Sequence, residues 1–254
     1  MIVLCVTNQK GGVGKTTTAD ALAAFLRRER KARVLCLDLD AQCSLTAIMG
    51  GRSSPTVSDV LEGRAAPSDA VRTSEGRGDL IPGAAYVPDV EANAIARLLM
   101  PLRGQYDYVV IDTAPAISKV TLAAMFASDA VIVPTNPDIL GLYGLDALKQ
   151  TFDKVRRINH RLQWGGVLLT KTMPRTNVGK LAEERARLWA RERGVFIANA
   201  SVRDCVAVKE AQALGKDIFN HAPKSAAAKD YGAAFTEILK NIQEPKLWQT
   251  NSTI

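Results

Sequence analysis

The sequence Lys10-Gly11-Gly12-Val13-Gly14-Lys15-Thr16-Thr17 lies between a short apolar run, Ile2–Thr7, and a segment with helical apolar spacing, Lys15–Arg30. Glycines let a backbone curve so tightly that several N–H groups point at one anion. The N-terminus of the following helix adds positive potential at the same place. A strand, a glycine turn, a lysine and a helix in this order predict a phosphate-binding loop.

The residue types within this loop suit a nucleotide bound together with Mg²⁺. Lys15 carries the charge that neutralises β- and γ-phosphates, and the Thr16 hydroxyl is a suitable Mg²⁺ ligand. A glycine turn that merely starts a helix is the alternative, and it does not account for the agreement of strand, glycines, Gly-Lys-Thr and helix. The predicted nucleotide-binding residues are Lys10, Gly11, Gly12, Val13, Gly14, Lys15, Thr16 and Thr17.

Short apolar runs alternate with helical patterns along the rest of the chain, as expected for strands buried on both faces of a parallel sheet. The runs are Ile2–Thr7, Val34–Leu39, Tyr108–Ile111, Ala130–Pro134, Val167–Thr170 and Val195–Ile197. We therefore predict an α/β fold, doubly wound, with a mostly parallel sheet flanked by helices. A single domain is expected over residues 1–254, with a flexible tail at about 245–254.

Two local predictions accompany this fold. Residues 50–78 are rich in Gly, Ser, Pro and Arg, which predicts surface loops around one or two short helices. Asn177 is expected to cap the helix at Val178–Arg193, and Gly194 is expected to end it.

The composition bounds the class of protein. The chain has 254 residues, 33 Lys or Arg against 26 Asp or Glu, and a net charge of +7. Its four Cys show no CxxC spacing and only two His are present, which argues against a zinc site or c-type haem. No signal peptide and no apolar stretch of about 20 residues is found, so a cytoplasmic protein without membrane contact is expected.

Three aspartates follow or end predicted strands. Asp112 ends the apolar run at Tyr108–Ile111, where a carboxylate is costly to desolvate unless it meets a cation such as Mg²⁺. Asp38 and Asp40 lie two residues apart at the end of Val34–Leu39 and are expected to face the crevice at the carboxyl ends of the strands. Capping of the next turn is the alternative role for Asp112, and loop tethering is the alternative role for Asp38 and Asp40.

The loop departs from the general pattern G-x-x-x-x-G-K-[ST] in one respect. The first glycine of that pattern falls on Gln9, and an additional lysine, Lys10, follows it. The string Lys-Gly-Gly-Val-Gly-Lys-Thr-Thr resembles the deviant Walker A motif of the ParA/MinD ATPases. Three further segments resemble the same superfamily, namely Val34–Gln42, Tyr106–Pro115 and Ala130–Pro134. Two more resemble its ParA branch, namely Ser201–Arg203 and Ala222–Tyr231. Departures lie beside the acidic pair, where Ala41 replaces the usual proline and Cys43-Ser44 replace Gly-Asn.

The resemblance implies roles for particular residues. Lys10 would reach across an ATP-dependent sandwich dimer to the phosphates held by the partner. Asp40 would position the attacking water, and Asp38 would support the Mg²⁺ shell. The implied catalytic residues are Lys10, Lys15 and Asp40, and the implied metal site comprises Thr16, Asp38 and Asp112.

Positive charge is concentrated in residues 149–193, which contain twelve Lys or Arg against four Asp or Glu. A clustered basic surface is typical of nucleic-acid binding, and the scarcity of aromatic residues favours contact with duplex phosphates over base stacking. A solvated helix face with Glu–Arg pairs is the alternative. The DNA-contacting residues predicted here are Arg156, Arg157, Arg161, Arg175, Arg203 and Lys224.

The resemblance thus implies a ParA-type ATPase for plasmid or chromosome partition. ATP would close the homodimer, the dimer would bind DNA nonspecifically, and a centromere-binding ParB-type partner would stimulate hydrolysis, which gives a cytoplasmic, nucleoid-associated protein. No room precedes the first strand for a helix-turn-helix module, so operator binding by that route is not expected.

Several alternatives remain at this stage. The same machine could position a protein cargo on the nucleoid. A MinD-like membrane switch needs a C-terminal basic amphipathic helix, which Pro245 interrupts in Lys240–Trp248. An iron–sulfur reductase needs cluster thiolates, but no Cys lies between residues 44 and 204. A metabolic enzyme with the same loop would not need the basic segment.

Overall fold

The computed structural model describes residues 1–51, 54–74 and 77–242, with only the backbone of Ile139 and Leu140, so the predicted tail at 245–254 lies outside it. The described residues form one sheet of seven strands: β1 Ile2–Val6, β2 Val34–Leu39, β3 Arg72–Ser74, β4 Gly78–Ile81, β5 Tyr108–Thr113, β6 Ala130–Thr135 and β7 Gln163–Leu169. Their spatial order is β3-β4-β2-β5-β1-β6-β7, and only the β3–β4 pair is antiparallel.

The helices in the described residues include eleven α-helical segments and one 3₁₀ turn. They are α1 Lys15–Arg30, α2 Ser44–Ile48, α3 Val57–Leu61, α4 Pro67–Ala70, α5 Ala94–Leu99, the 3₁₀ turn Met100–Leu102, α6 Lys119–Ala127, α7 Ile139–Arg156, α8 Asn177–Glu192, α9 Val206–Ala213, α10 Ile218–His221 and α11 Ala226–Asn241.

The strands explain why the apolar runs show no alternation in the sequence. Successive side chains of a strand point to opposite faces of the sheet. Along β1, Val3 and Cys5 join a core that includes residues of α5 to α8, whereas Leu4 and Val6 join a second core with α1 and α11. Both faces are therefore covered by helices, and the prediction of a doubly wound, mostly parallel α/β fold is confirmed.

Three local predictions need correction. The hydroxyl of Thr176, not Asn177, caps α8 by accepting from the Gly179 N–H, so Asn177 is the first helical residue. Val195–Ile197 forms only an isolated bridge to β7 instead of a strand. Residues 50–78 do contain short helices, as predicted, but also β3, whose three polar residues give no apolar signal.

Candidate nucleotide-binding site

The glycine loop lies at the carboxyl edge of the sheet, between the end of β1 and the start of α1. A cavity of about 680 Å³ opens beside it. Most of the predicted loop residues line this cavity: Gly11, Gly12, Gly14, Lys15, Thr16 and Thr17. Of the other two, Val13 is fully buried beneath the loop and Lys10 points elsewhere.

Two glycines are required by the path of this loop. Gly12 and Gly14 have φ angles of +72° and +83°, in the left-handed region that residues with a Cβ rarely adopt. An added Cβ would meet no atom within 4 Å at either position, so the requirement is one of backbone conformation and not of space. The loop then passes directly into α1, whose first amides have no partner within the helix.

Lys15 is buried at the base of the cavity, with 6% of its surface exposed. Its ammonium group donates to the carbonyl oxygen of Lys10 at 3.0 Å. Burial lowers the pKa of Lys15, while the negative charges of Asp112 and Asp40 act in the opposite direction. The side chain is thus a largely desolvated cation that lines the cavity, and its predicted role in neutralising phosphates stays a prediction.

Asp112 supplies the observation that best fits a bound cation. Both of its carboxylate oxygens are buried, and neither has a hydrogen-bond partner among the described residues. Burial raises the pKa of Asp112 well above its usual value and Asp38 raises it further, while the nearby Thr16 hydroxyl lowers it. Buried carboxylates in this state are normally paired or coordinate a metal. Asp112 and Thr16 therefore suit a Mg²⁺ held between them, directly or through water.

Asp38 is already engaged by the protein. Its Oδ1 accepts from the backbone N–H of Asp40 at 3.1 Å, and its Oδ2 accepts from the N–H and the hydroxyl of Thr46 at 2.8 and 2.7 Å. Burial raises the pKa of Asp38, and these hydrogen bonds oppose the rise. Asp38 thus ties the end of β2 to α2, which is the tethering alternative considered above, and it lies beside Asp112 across the β2–β5 pair.

Asp40 follows β2 and lines the cavity. One carboxylate oxygen accepts from the N–H of Gln42 at 3.0 Å, which fixes the orientation of the group. The carboxylate is half-buried, so it is accessible to a water molecule in the cavity. This is the position from which a carboxylate can orient an attacking water.

The second loop lysine is held outside the cavity. The Lys10 ammonium group donates to both carboxylate oxygens of Asp138, at 2.7 and 2.6 Å. Asp138 is also the N-cap of α7, where it accepts from the N–H of Gly141. Sequence reasoning missed Asp138, although it follows the carboxyl end of β6 and the rule that identified Asp38 and Asp112 applies to it as well.

In the sequence, Thr170–Met173 and Ala198–Ala200 follow predicted strands, which makes them candidate walls for the adenine base at the far side of the cavity. Thr170 and Lys171 do line it. Ala198–Ala200 do not, and residues after them take that place: Val202, Arg203, Asp204, Cys205, Val208, Lys209, Gln212 and Tyr231. The sequence signal for this wall is weak because its residues come from a loop, from α9 and, for Tyr231, from α11.

The six predicted DNA-contacting residues are all exposed, but they do not form one surface. Arg156, Arg157 and Arg161 lie between the end of α7 and the start of β7, at the amino edge of the sheet. Arg203 lines the nucleotide cavity at the opposite edge and forms an ion pair with Asp230. Two others are exposed outside these groups, Arg175 in the loop before α8 and Lys224 before α11.

The strand order, the glycine loop between β1 and α1 and the buried aspartate at the carboxyl edge define a P-loop nucleotide-binding protein. A family model described as an AAA domain matches residues 1–164. The chain is 35% identical to the chromosome-partitioning ATPase Soj of Thermus thermophilus, over 95% of this chain and 96% of that protein. It is 36% identical to the chromosome partitioning protein ParA of Caulobacter vibrioides, over 93% of each chain. The protein therefore belongs to the ParA/Soj family within the ParA/MinD superfamily of P-loop ATPases.

A solved structure extends the comparison to bound nucleotide. A cobyrinic acid a,c-diamide synthase from Mycobacterium smegmatis, crystallised with an ATP analog and magnesium, superposes with a TM-score of 0.79 at 28% identity. The match covers 94% of this chain and 95% of that one. In the described part of the present chain, no helix has the length and hydropathy needed to cross a bilayer.

Proposed function

We propose that this protein is a Mg²⁺-dependent ATPase that partitions DNA, acting as one domain that cycles between an ATP-bound dimer and a released monomer. One observation carries the proposal, namely that one loop presents two lysines in opposite environments. Lys15 is buried and lines the cavity, whereas Lys10 is half-buried and is bonded to Asp138 outside it. A single nucleotide site needs only the first, so the second is available to the phosphates of a facing subunit.

The hydrolytic step follows from the groups around the cavity. Phosphoryl transfer depends mainly on positioning and charge stabilisation. Lys15 and the loop amides would hold the β- and γ-phosphates, and Asp40 would orient the attacking water. Mg²⁺, when bound, would neutralise developing charge on the phosphates, and Thr16 and Asp112 would hold it.

DNA binding is the step that uses the amino edge of the sheet. Arg156 and Arg157 are exposed and form no ion pair within the described ranges. Such cations attract duplex phosphates without reading the bases, which supports nonspecific binding and a nucleoid-associated protein. A centromere-binding ParB-type partner is proposed to stimulate hydrolysis and release the dimer.

The trans-lysine role is tested by Lys10→Ala. We expect nucleotide affinity to change by less than about threefold, because the Lys10 ammonium group points away from its own cavity. ATP-dependent dimerisation, measured by light scattering on a sizing column, and ATP-dependent DNA binding should both be lost. A variant that still dimerises and hydrolyses ATP at the wild-type rate would refute the role.

Cargo is tested in cells. The full-length relatives at 35–36% identity are named for chromosome partitioning, which favours DNA over a protein assembly or a synthase reaction. Deletion of the gene should raise the loss rate of a plasmid or produce cells without a nucleoid. If the deletion strain inherits DNA normally but misplaces a protein assembly, the cargo is a protein and not DNA.

A further inference from the structure

We propose that Lys171 is a positioning residue for the phosphate-binding loop, which it holds in the phosphate-binding conformation while placing a third positive charge at the cavity. Its ammonium group donates to the carbonyl oxygen of Gly12 at 2.6 Å, across 159 residues of sequence. The proposal rests on the proposed function, because it assumes that the loop binds ATP.

The contact belongs to a set of three hydrogen bonds to carbonyl groups of the loop. Besides Lys171 on Gly12, the Thr170 hydroxyl donates to the carbonyl of Val13 at 2.8 Å. Lys15 donates to the carbonyl of Lys10 at 3.0 Å. Two of the three donors, Thr170 and Lys171, directly follow β7, so residues after one strand hold the loop that follows another.

Holding a carbonyl also fixes the amide that follows it. In a planar trans peptide, the C=O and the next N–H point in opposite directions. Lys171 on the Gly12 carbonyl therefore sets the direction of the Val13 N–H, and Thr170 on the Val13 carbonyl sets that of Gly14. Neither amide has a protein acceptor among the described residues. Gly14 lines the cavity, so its N–H is available to an anion there, whereas Val13 is fully buried.

The backbone of Lys171 supports a functional reading of this contact. Its φ is +53°, in the left-handed region that costs free energy for any residue with a Cβ. Residues held in such conformations cluster at ligand sites, where the surrounding structure over-determines them.

The charge of Lys171 is also uncompensated. The side chain lines the nucleotide cavity and is exposed, and no ion pair to it is found within residues 1–51, 54–74 and 77–242. Lys10, in contrast, is paired with Asp138. Lys171 contacts only a carbonyl oxygen, so its positive charge remains available to a bound polyphosphate. We therefore expect its contribution to nucleotide affinity to depend on salt concentration.

The test compares Lys171→Met with Lys171→Arg by calorimetric titration of ATP and ADP at two salt concentrations. We expect Lys171→Met to bind both nucleotides about tenfold more weakly, the usual value of a hydrogen bond from a charged group, and with a weaker salt dependence. Lys171→Arg should restore most of the affinity. Thr170→Val should weaken binding without changing its salt dependence, since its hydroxyl is neutral.

Two further measurements make the outcome decisive. Lys180→Met, which removes an exposed lysine of α8, is the matched control and should bind ATP like the wild type. In nucleotide-free protein, the amide resonance of Val13 should shift in Lys171→Met and return in Lys171→Arg. Wild-type affinity and an unshifted Val13 resonance in Lys171→Met would overturn the proposal. If the wild-type protein does not bind ATP at all, the proposed function is overturned instead.

Discussion

The carboxyl and amino edges of the sheet both carry charge, but they hold it in opposite ways. At the carboxyl edge, Lys15, Asp38 and Asp112 are almost fully buried. At the amino edge, Arg156 and Arg157 are exposed and have no ion pair in the described part of the chain. Buried charge must be desolvated and is tolerated only with a defined partner, so each residue matters greatly. Solvated charges act together, and each residue makes a small, salt-sensitive contribution to the binding free energy.

The largest effect is expected from Lys15→Ala at the carboxyl edge. The substitution removes the buried cation that faces the phosphates, which should weaken ATP binding by about 100-fold, or about 3 kcal/mol. Titration with a fluorescent ATP analogue measures the change, and Lys10→Ala is the control within the same loop. Unchanged affinity in Lys15→Ala, with normal folding by circular dichroism, would contradict the assignment of the loop.

A smaller effect is expected from reversing charge at the amino edge with Arg156→Glu, Arg157→Glu and Arg161→Glu together. Log affinity falls as log salt rises, and each lost phosphate contact should make this slope less steep by about 0.9. Duplex affinity should fall about tenfold or more. Fluorescence anisotropy with DNA duplexes of unrelated sequence provides the measurement.

The matched control changes the net charge equally at a different site. Arg97→Glu, Arg103→Glu and Lys119→Glu are exposed substitutions in and around α5 and α6. This control should retain DNA affinity. If both triple variants bind equally well, the arginines at the amino edge form only a solvated face.

The Lys10–Asp138 pair lies between these extremes, since it is at the carboxyl edge but half-exposed. In Asp138→Asn the helix cap is retained while the charge that holds Lys10 is removed. ATP-dependent dimerisation should therefore strengthen by about two- to fivefold, the range for a surface ion pair. Asp153→Asn in α7 is a close control, because Lys149–Asp153 has nearly the same exposure as Lys10–Asp138. Weaker dimerisation in Asp138→Asn alone would show that Asp138 supports the dimer instead.

The smallest effect is expected at the amino edge from Asp107→Asn. Hydrogen bonds from the side chain and backbone of Arg33 lower the pKa of Asp107 to about 2, from an ordinary value of 3.8. The stabilisation is therefore complete above about pH 4 and is lost as the pH falls towards 2. Because both side chains are about half-exposed, the variant should melt only about 1 °C lower at pH 7. Below pH 2 the two proteins should melt together, and a difference that grows in acid would contradict this sign.

Much of the carboxyl edge was predictable because its chemistry is encoded locally. The spacing of Lys15 and Thr16 after a strand indicates a phosphate loop, and Asp112 at the end of an apolar run indicates a cation. The fold followed from the same runs, since strands buried on both faces have no alternation. Thr176 was missed as a cap because Asn177 beside it is, by residue type, the more strongly preferred capping residue.

The rest depends on contacts between distant parts of the chain. Lys171 was counted in a basic segment, but its ammonium group lies on the loop, 159 residues away. Arg203 was counted as a DNA contact, but it lines the nucleotide cavity and pairs with Asp230. Counting charged residues gives the sign of the net charge of a segment, whereas the fold decides which edge of the sheet each side chain reaches.

The position of Thr170 has a consequence for synthesis of the chain. Its hydroxyl bonds to Val13, 157 residues earlier in the sequence. At ordinary rates of translation, the loop leaves the ribosome on the order of ten seconds before the groups that hold its carbonyls. Val202 and Gln212, on the far wall of the cavity, follow later still. The nascent protein therefore carries the complete loop sequence well before it has a mature ATP site, so nucleotide can stabilise this chain only after the residues of the far wall have been synthesised.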